Sequence, residues 1–227
     1  RGQIYRGNTP EEQILVASGL RAGATGPRHW SGPERQADAF DAKADALAAL
    51  AVAGVATDKL QVTAQAPGWF HPGRSGMLSL GPKNILAHFG ALHPKILSHF
   101  DIKTPIAAFE IFLDGVPLPK TRDGRARSLL RPSPFQPVER DFAFVVDGDV
   151  MAGDVARAAR GVERDLITDV SVFDVYIGKG VEEGKKSLAL AVTLQPFEKT
   201  LTDDEIDKVG DKIVAAVAKA TGGRLRS

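Results

Sequence analysis

Alternating strand and helix patterns in the C-terminal part of the 227-residue chain limit its possible folds more than any other feature. Residues Val138–Val146 are rich in β-branched and aromatic side chains and stop at Asp147-Gly148, which predicts a strand ended by a turn. The alanine-rich stretch Ala152–Arg160 predicts a short helix that ends at Gly161. Val170–Tyr176 then predicts a second strand.

The remaining C-terminal residues predict a strand, a long helix and a short strand. Ser187–Gln195 alternates large apolar with small residues, so one strand face belongs to the core and the opposite face is small and flat. Thr202 opens the helix, and Glu205 three residues later completes a capping box. Gly222-Gly223 ends this helix, and Arg224–Arg226 predicts a short closing strand. This βαββαβ order is typical of a ferredoxin-like domain.

The N-terminal part predicts several short strands around one or two helices, which indicates an α+β domain built on an antiparallel sheet. The predicted strands are 14–22, 60–65, 77–80, 85–89 and 106–113, and the predicted helices are 40–52 and 94–100. Between the two parts, Pro117–Pro137 contains five prolines and a basic run without apolar periodicity, which predicts a linker. The predicted boundaries are therefore 1–118 for the first domain, 119–134 for the linker and 135–227 for the second domain.

Composition excludes several classes of protein. Apolar residues make up 43% and charged residues 25% of the chain, as in folded globular proteins. The absence of cysteine removes disulfides and thiolate metal sites and fits a reducing cytoplasm. No apolar run is long enough to span a membrane. Because the chain begins with Arg1 and its first residues already look like part of a strand, we expect it to be a piece of a longer protein.

Charge also narrows the possible partners. Residues 132–227 hold thirteen Lys or Arg against seventeen Asp or Glu, so the second domain is not a generic basic nucleic-acid binder, and any such contact must be local. In the loop Gly178–Ser187, three residues separate Gly180 from Gly184, whereas a phosphate-binding loop has four residues between its two glycines and precedes a helix. Here a strand follows, so the sequence favours a hairpin loop. The five histidines lack metal-binding spacing, and we expect no metal site.

Two loops of the first domain, Gly26–Trp30 and Pro67–Ser75, combine Pro, Gly, His, Arg and aromatic residues. Each is either a binding loop or a rigid turn with its aromatics packed on the core, and the rigid turn is favoured. Asp41 and Asp45 share a face of a predicted helix, as solvated residues commonly do. We find no convincing catalytic residues.

Ordered motifs in both parts carry a family resemblance. The second-domain motifs are Phe135-x-Pro137-Val138-x-Arg140-Asp141, Phe173–Tyr176-x-Gly178–Gly180, Glu183–Ala189 and Thr200–Asp203-x-Glu205. The first-domain motifs are Gly26–Trp30, Phe40–Lys43, His71–Ser75, Gly90-x-Leu92–Pro94 and Phe109-Glu110. Together they resemble the C-terminal part of the β subunit of bacterial phenylalanyl-tRNA synthetase, with its catalytic-like domain followed by its ferredoxin-fold anticodon-binding domain.

The resemblance implies a fold and a function. The fold is α+β, a partial class II synthetase-like antiparallel sheet domain followed by the ferredoxin-like domain. In the family, the α subunit activates phenylalanine with ATP and Mg²⁺, the β subunit has lost this chemistry, and two α and two β subunits form a cytoplasmic heterotetramer that binds tRNA(Phe). We expect this chain alone to be inactive and to hold no cofactor, since it lacks a glycine-rich run of the class II type.

The candidate RNA-binding residues surround the sheet face that a ferredoxin-like domain leaves without helices. Ala189 and Ala191 would let unstacked bases approach this face, the aromatic candidates would stack on bases, and the basic ones would meet phosphates. The candidates are Phe135, Arg140, Tyr176, Lys179, Lys185, Lys186 and Ser187. A core position for Phe135 or Tyr176 remains an alternative. The alternative function is a stand-alone ferredoxin-like module that binds a small regulatory molecule.

Overall fold

The computed structural model describes residues 1–27, 29–30, 32, 34–117 and 132–226. The chain forms two compact units, Arg1–Arg125 and Ala126–Ser227. Most of the predicted linker, 119–134, lies outside the described residues, so its boundaries stay a prediction. Both units are mixtures of helices and antiparallel sheet. Among the described residues, no helix is both long and apolar enough to cross a membrane.

The first unit is built on a six-stranded antiparallel sheet with the strand order β1-β2-β6-β5-β4-β3. The strands are β1 (Gly2–Tyr5), β2 (Gln13–Ala22), β3 (Gln61–Thr63), β4 (Phe70–Leu80), β5 (Asn84–Leu92) and β6 (Ile106–Phe112). The helices are α1 (Ala39–Val52) and α2 (Pro94–His99). The predicted strands and helices are all present, and β1 adds the expected strand at the start of the chain.

Helix α1 covers one face of this sheet. Asp38 caps the helix by accepting hydrogen bonds from the backbone N–H groups of Phe40 and Asp41, and the Asp41 carboxylate accepts one from the Asp38 N–H in return. Ala42, Ala46 and Leu50 of α1 are buried, and they pack against apolar residues of β4, β5 and β6. The alanine-rich helix face allows this close packing, because small side chains let the helix approach the sheet.

Strand β4 is longer than the sequence predicts. The predicted strand covers 77–80, since Pro72 and Gly73 read as part of a loop, yet the strand begins at Phe70. The pairing with β5 shifts register between Phe70 and Ser75, and this irregular segment holds the proline. Phe70 is 2% exposed, as the rigid turn with packed aromatics predicts, but Trp69 is 45% and Trp30 91% exposed, so for these two side chains the prediction of core packing is wrong.

The second unit has the predicted strand and helix order. Its elements are β7 (Val138–Asp147), α3 (Ala152–Arg160), β8 (Ile167–Tyr176), β9 (Lys185–Leu194), α4 (Asp203–Thr221) and β10 (Arg224–Leu225). They form an antiparallel sheet with the order β10-β7-β9-β8, so the two longest-paired strands, β7 and β9, lie in the centre. This is the arrangement expected of a split βαβ domain.

Both helices of the second unit pack on the same face of its sheet. Phe144, Leu188 and Leu190 point to that face and are at most 1% exposed. They form one core with Val155 of α3 and Ile213 of α4. Burying a side chain of this size stabilises the domain by roughly 1.5–3 kcal/mol relative to leaving it exposed.

Candidate nucleic-acid interface

The opposite face of the second sheet carries small side chains. We call it the open face and define it by the residues that alternate with the core residues of β7 and β9. In register, Val145 lies beside Ser187 and Ala143 beside Ala189. None of these four belongs to the core packed against the helices. The face is therefore flat where β7 meets β9, as the alternation in β9 predicts.

Tyr176 lies on the open face at the end of β8, beside Ser187. Its side chain is 38% exposed, so it is not a core residue. The hydroxyl donates a hydrogen bond to the backbone carbonyl of Lys179 at 3.1 Å. A Cβ at Gly178 would lie only 2.9 Å from the Tyr176 oxygen, so glycine is needed there for the ring to take this position. The loop thus holds an exposed aromatic ring in place.

Arg224 and Arg226 also lie at this end of the open face, and neither is among the candidate residues predicted from the sequence. Arg224 is paired with Val145, and the Arg226 N–H donates a hydrogen bond to the Ala143 carbonyl at 2.7 Å. The Arg226 guanidinium carbon is 5.5 Å from the centroid of the Tyr176 ring. The alternation Arg-Leu-Arg in a predicted strand could have indicated them, because it places both arginine side chains on the same face of the sheet.

The charges beside Tyr176 are partly compensated. Glu182 accepts a hydrogen bond from Lys185 at 2.8 Å and forms an ion pair with Arg224. The hydrogen bond from Lys185 and then the charge of Arg224 lower the pKa of Glu182, which keeps it ionised. Lys186 lies in the helix-facing row opposite Val146, and its ammonium group donates a hydrogen bond to a backbone carbonyl, that of Gly148, at 2.8 Å.

Phe135 and Arg140 lie at the opposite end of the sheet. Arg140 is five positions from Val145 along β7, which corresponds to about 17 Å. It also falls in the helix-facing row, opposite Val192. Phe135 is half-buried, and its carbonyl accepts a hydrogen bond from the Gln195 side chain at 2.9 Å. The structure therefore brings together Tyr176, Lys179, Lys185 and Ser187, with Lys186 next to them, but does not bring Phe135 and Arg140 to this cluster.

Four carboxylates occupy the other half of the open face. They are Glu139, Asp141, Asp169 and Asp174, and all four are exposed. The face thus has a basic end around Tyr176 and an acidic half beyond Ala189. Since phosphates are repelled by carboxylates, an RNA backbone would follow the basic end, and only bases would reach the acidic half.

Two acidic residues of helix α1 are held in ion pairs. Asp41 accepts from Arg35 at 2.8 Å, and Asp45 from Arg21 at 2.6 Å. The hydrogen bond from Arg35 holds the pKa of Asp41 well below its usual range. Glu110 is different, because burial raises its pKa despite a hydrogen bond from the Trp69 side chain. In the described part of the chain, no group of three or more His, Asp or Glu is arranged to hold a metal ion.

Both units match known families. Residues 133–226 match the family described as ferredoxin-fold anticodon binding domain. Residues 2–113 match the family described as the CLM domain of the phenylalanyl tRNA synthetase beta chain. The fold, the open face and these matches define a synthetase β-chain domain followed by an anticodon-binding domain. The chain belongs to the phenylalanyl-tRNA synthetase β-chain family.

Relatives with the name phenylalanine–tRNA ligase beta subunit align along the whole chain. The protein from Bradyrhizobium diazoefficiens is 55% identical over 230 residues, which cover 100% of this chain and 29% of that protein. The relative from Rhodospirillum rubrum is 56% identical over 226 residues, covering 100% and 28%. The relative from Paramagnetospirillum magneticum is 55% identical over 225 residues, covering 99% and 28%. The chain thus spans under a third of the length of these relatives.

Proposed function

We propose that this chain is a non-catalytic part of a phenylalanine–tRNA ligase β subunit that binds the anticodon region of tRNA(Phe) on the open face. The observation that carries the proposal is the partly exposed ring of Tyr176 beside a surface of small side chains, with basic residues next to it. The match to an anticodon-binding family and the names of the relatives support it.

The geometry fits single-stranded bases better than a duplex. Ring stacking is available at Tyr176, and the small residues Ser187 and Ala189 leave room for a base to lie close to the sheet. Lys179 and Lys185 stand at the same end, where they meet phosphates. The carboxylates of the acidic half accept hydrogen bonds from exocyclic amino groups of bases while they repel phosphates. The separation of a basic end from an acidic half orients the RNA on the open face.

The first unit supplies subunit contacts in this proposal. We assign it a class II synthetase-like fold without catalysis, packed on an α subunit in a cytoplasmic assembly of two α and two β subunits. The chain lacks a glycine-rich run of the class II type, and the described residues hold no cluster of metal ligands. ATP and Mg²⁺ belong to the α subunit in this scheme.

Replacing Tyr176 by leucine tests the RNA site. Loss of stacking is worth about 1–3 kcal/mol per base, so we expect roughly 5- to 150-fold weaker binding of an anticodon stem-loop RNA of tRNA(Phe). Fluorescence anisotropy with labelled RNA measures the dissociation constant. Tyr5→Leu is the matched control, because Tyr5 is the other tyrosine of the chain and lies in the first unit. Equal affinities of Tyr176→Leu and the unaltered protein would refute this RNA site.

A further inference from the structure

The contact between Arg226 and Tyr176 spans the open face and has no part in the function proposed above. Arg226 follows the strand at one edge of the sheet, and Tyr176 ends the strand at the other edge. Between them lie Val145 and Ser187, which are 6% and 4% exposed although the helices of this unit pack on the opposite face. The guanidinium and the ring therefore approach each other across the surface where a base would lie.

Hydrogen bonds hold the Arg226 backbone at one end of this contact and the Tyr176 hydroxyl at the other, which leaves the Arg226 side chain as the part that can move. The Arg226 N–H is bonded to the Ala143 carbonyl at 2.7 Å, and Arg224 is tied to Glu182 by an ion pair. The Tyr176 hydroxyl is bonded to the Lys179 carbonyl. By contrast, the Arg226 guanidinium has no ion pair within the described residues, and its contact with the ring is a cation–π interaction.

We infer that Arg226 is a side-chain lid on Tyr176, which covers the ring in the RNA-free protein and gives way to a stacking base. This inference rests on the proposed function for the identity of the displacing ligand. A guanidinium and a base compete for the ring because both bind its π surface. Once displaced, the guanidinium is still anchored at the basic end of the face, where a phosphate of the bound RNA can accept its hydrogen bonds.

The lid lowers RNA affinity only slightly. An exposed cation–π contact changes an equilibrium constant by roughly two- to fivefold, so the covered state reduces affinity by no more than about this factor. The same contact shields the ring and the buried Ser187 when no RNA is bound. A lid of this strength closes the site without preventing binding.

The contact itself is measured on the RNA-free chain labelled with 3-fluorotyrosine. The chain has two tyrosines, so the ¹⁹F spectrum has two resonances, and Tyr5→Phe assigns them. We expect Arg226→Gln to shift the Tyr176 resonance and to leave that of Tyr5 unchanged, which also reports an intact first unit. Arg224→Gln is the matched control, since it removes one positive charge from β10 at a residue that is paired with Glu182 and not with the Tyr176 ring. An unshifted Tyr176 resonance in Arg226→Gln would overturn the lid.

Exchange is measured by adding a saturating anticodon stem-loop RNA to the unaltered and Arg226→Gln proteins. If a base replaces the guanidinium, the Tyr176 resonances of the two proteins converge in the complex. If the difference seen without RNA persists, the guanidinium stays on the ring and the inference is wrong. If the RNA binds neither protein, the proposed function is wrong, and so is the exchange of guanidinium for base. The shift in the RNA-free protein would still establish the contact between Arg226 and Tyr176.

Discussion

At the residue scale, strand alternation determines which candidate side chains reach the open face. Lys185 and Lys186 are neighbours in sequence, but Lys185 lies in the open-face row opposite Asp147 and Lys186 in the helix-facing row opposite Val146. Lys185 is paired with Glu182, whereas Lys186 is bonded to a carbonyl oxygen. The two lysines are therefore not equivalent, and Lys185 is the better placed to meet a phosphate beside Tyr176.

We predict that Lys185→Ala combined with Lys186→Ala weakens tRNA binding and flattens its salt dependence without unfolding the domain. Removing one lysine–phosphate interaction with a single strand lowers the slope of log K against log[salt] by about 0.7. We expect Lys185→Ala alone to give most of the change. Lys208→Ala with Lys219→Ala removes the same charge from exposed positions of α4. Unchanged affinity and slope in the first double variant, within the assembled enzyme, would exclude this phosphate contact.

At the element scale, residue patterns within short segments predicted the helices and most strands. The remaining features depend on pairing between strands that are distant in sequence. Thr202 and Glu205 predicted the start of α4, because a capping box involves residues three apart in sequence. The early start of β4 at Phe70 depends on its pairing with Leu92, and the meeting of Arg226 with Tyr176 depends on the order of four strands. Neither follows from local composition, so the sequence indicated Tyr176 as a candidate but not the arginine that contacts its ring.

The capping box of α4 makes stability depend on pH. Hydrogen bonds from the Lys199 side chain and then from the Thr202 N–H lower the pKa of Glu205 to about 2. Because the pKa is lower in the folded than in the unfolded chain, the stabilisation is complete above about pH 4.3 and is lost as the pH falls through 2. Glu205→Gln should therefore lower the free energy of unfolding at pH 7, and the difference should decrease below about pH 4.3 and vanish only below about pH 2.

Urea unfolding over a pH series measures this effect. Glu198→Gln is the control, since it removes one carboxylate from the segment before α4, at a residue with no ion pair in the described part of the chain. If Glu205→Gln and the unaltered protein differed by the same amount at all pH values, the linkage to Glu205 would be wrong.

At the scale of the whole molecule, stability resides in two separate hydrophobic cores. One consists of residues from α1 and strands β4 to β6 together with Val55, and the other of residues from β7 to β9 with α3 and α4. No residue belongs to both clusters. The candidate RNA surface belongs entirely to the second unit, so its integrity depends on the second core. In the sequence, a proline-rich stretch separates two regions that each have their own apolar periodicity, and this pattern predicts two units.

We therefore predict that core substitutions affect the two units separately. Leu50 and Leu190 are both fully buried, one in each core, and truncating either leucine to alanine should destabilise its own unit by about 2–5 kcal/mol. Hydrogen exchange measured by mass spectrometry resolves the effect by segment. Leu190→Ala should accelerate exchange in β7 to β9 and weaken binding of the anticodon stem-loop RNA, whereas Leu50→Ala should accelerate exchange in β4 to β6 and leave RNA binding intact. Loss of protection throughout the chain in both variants would show that the two cores unfold as one.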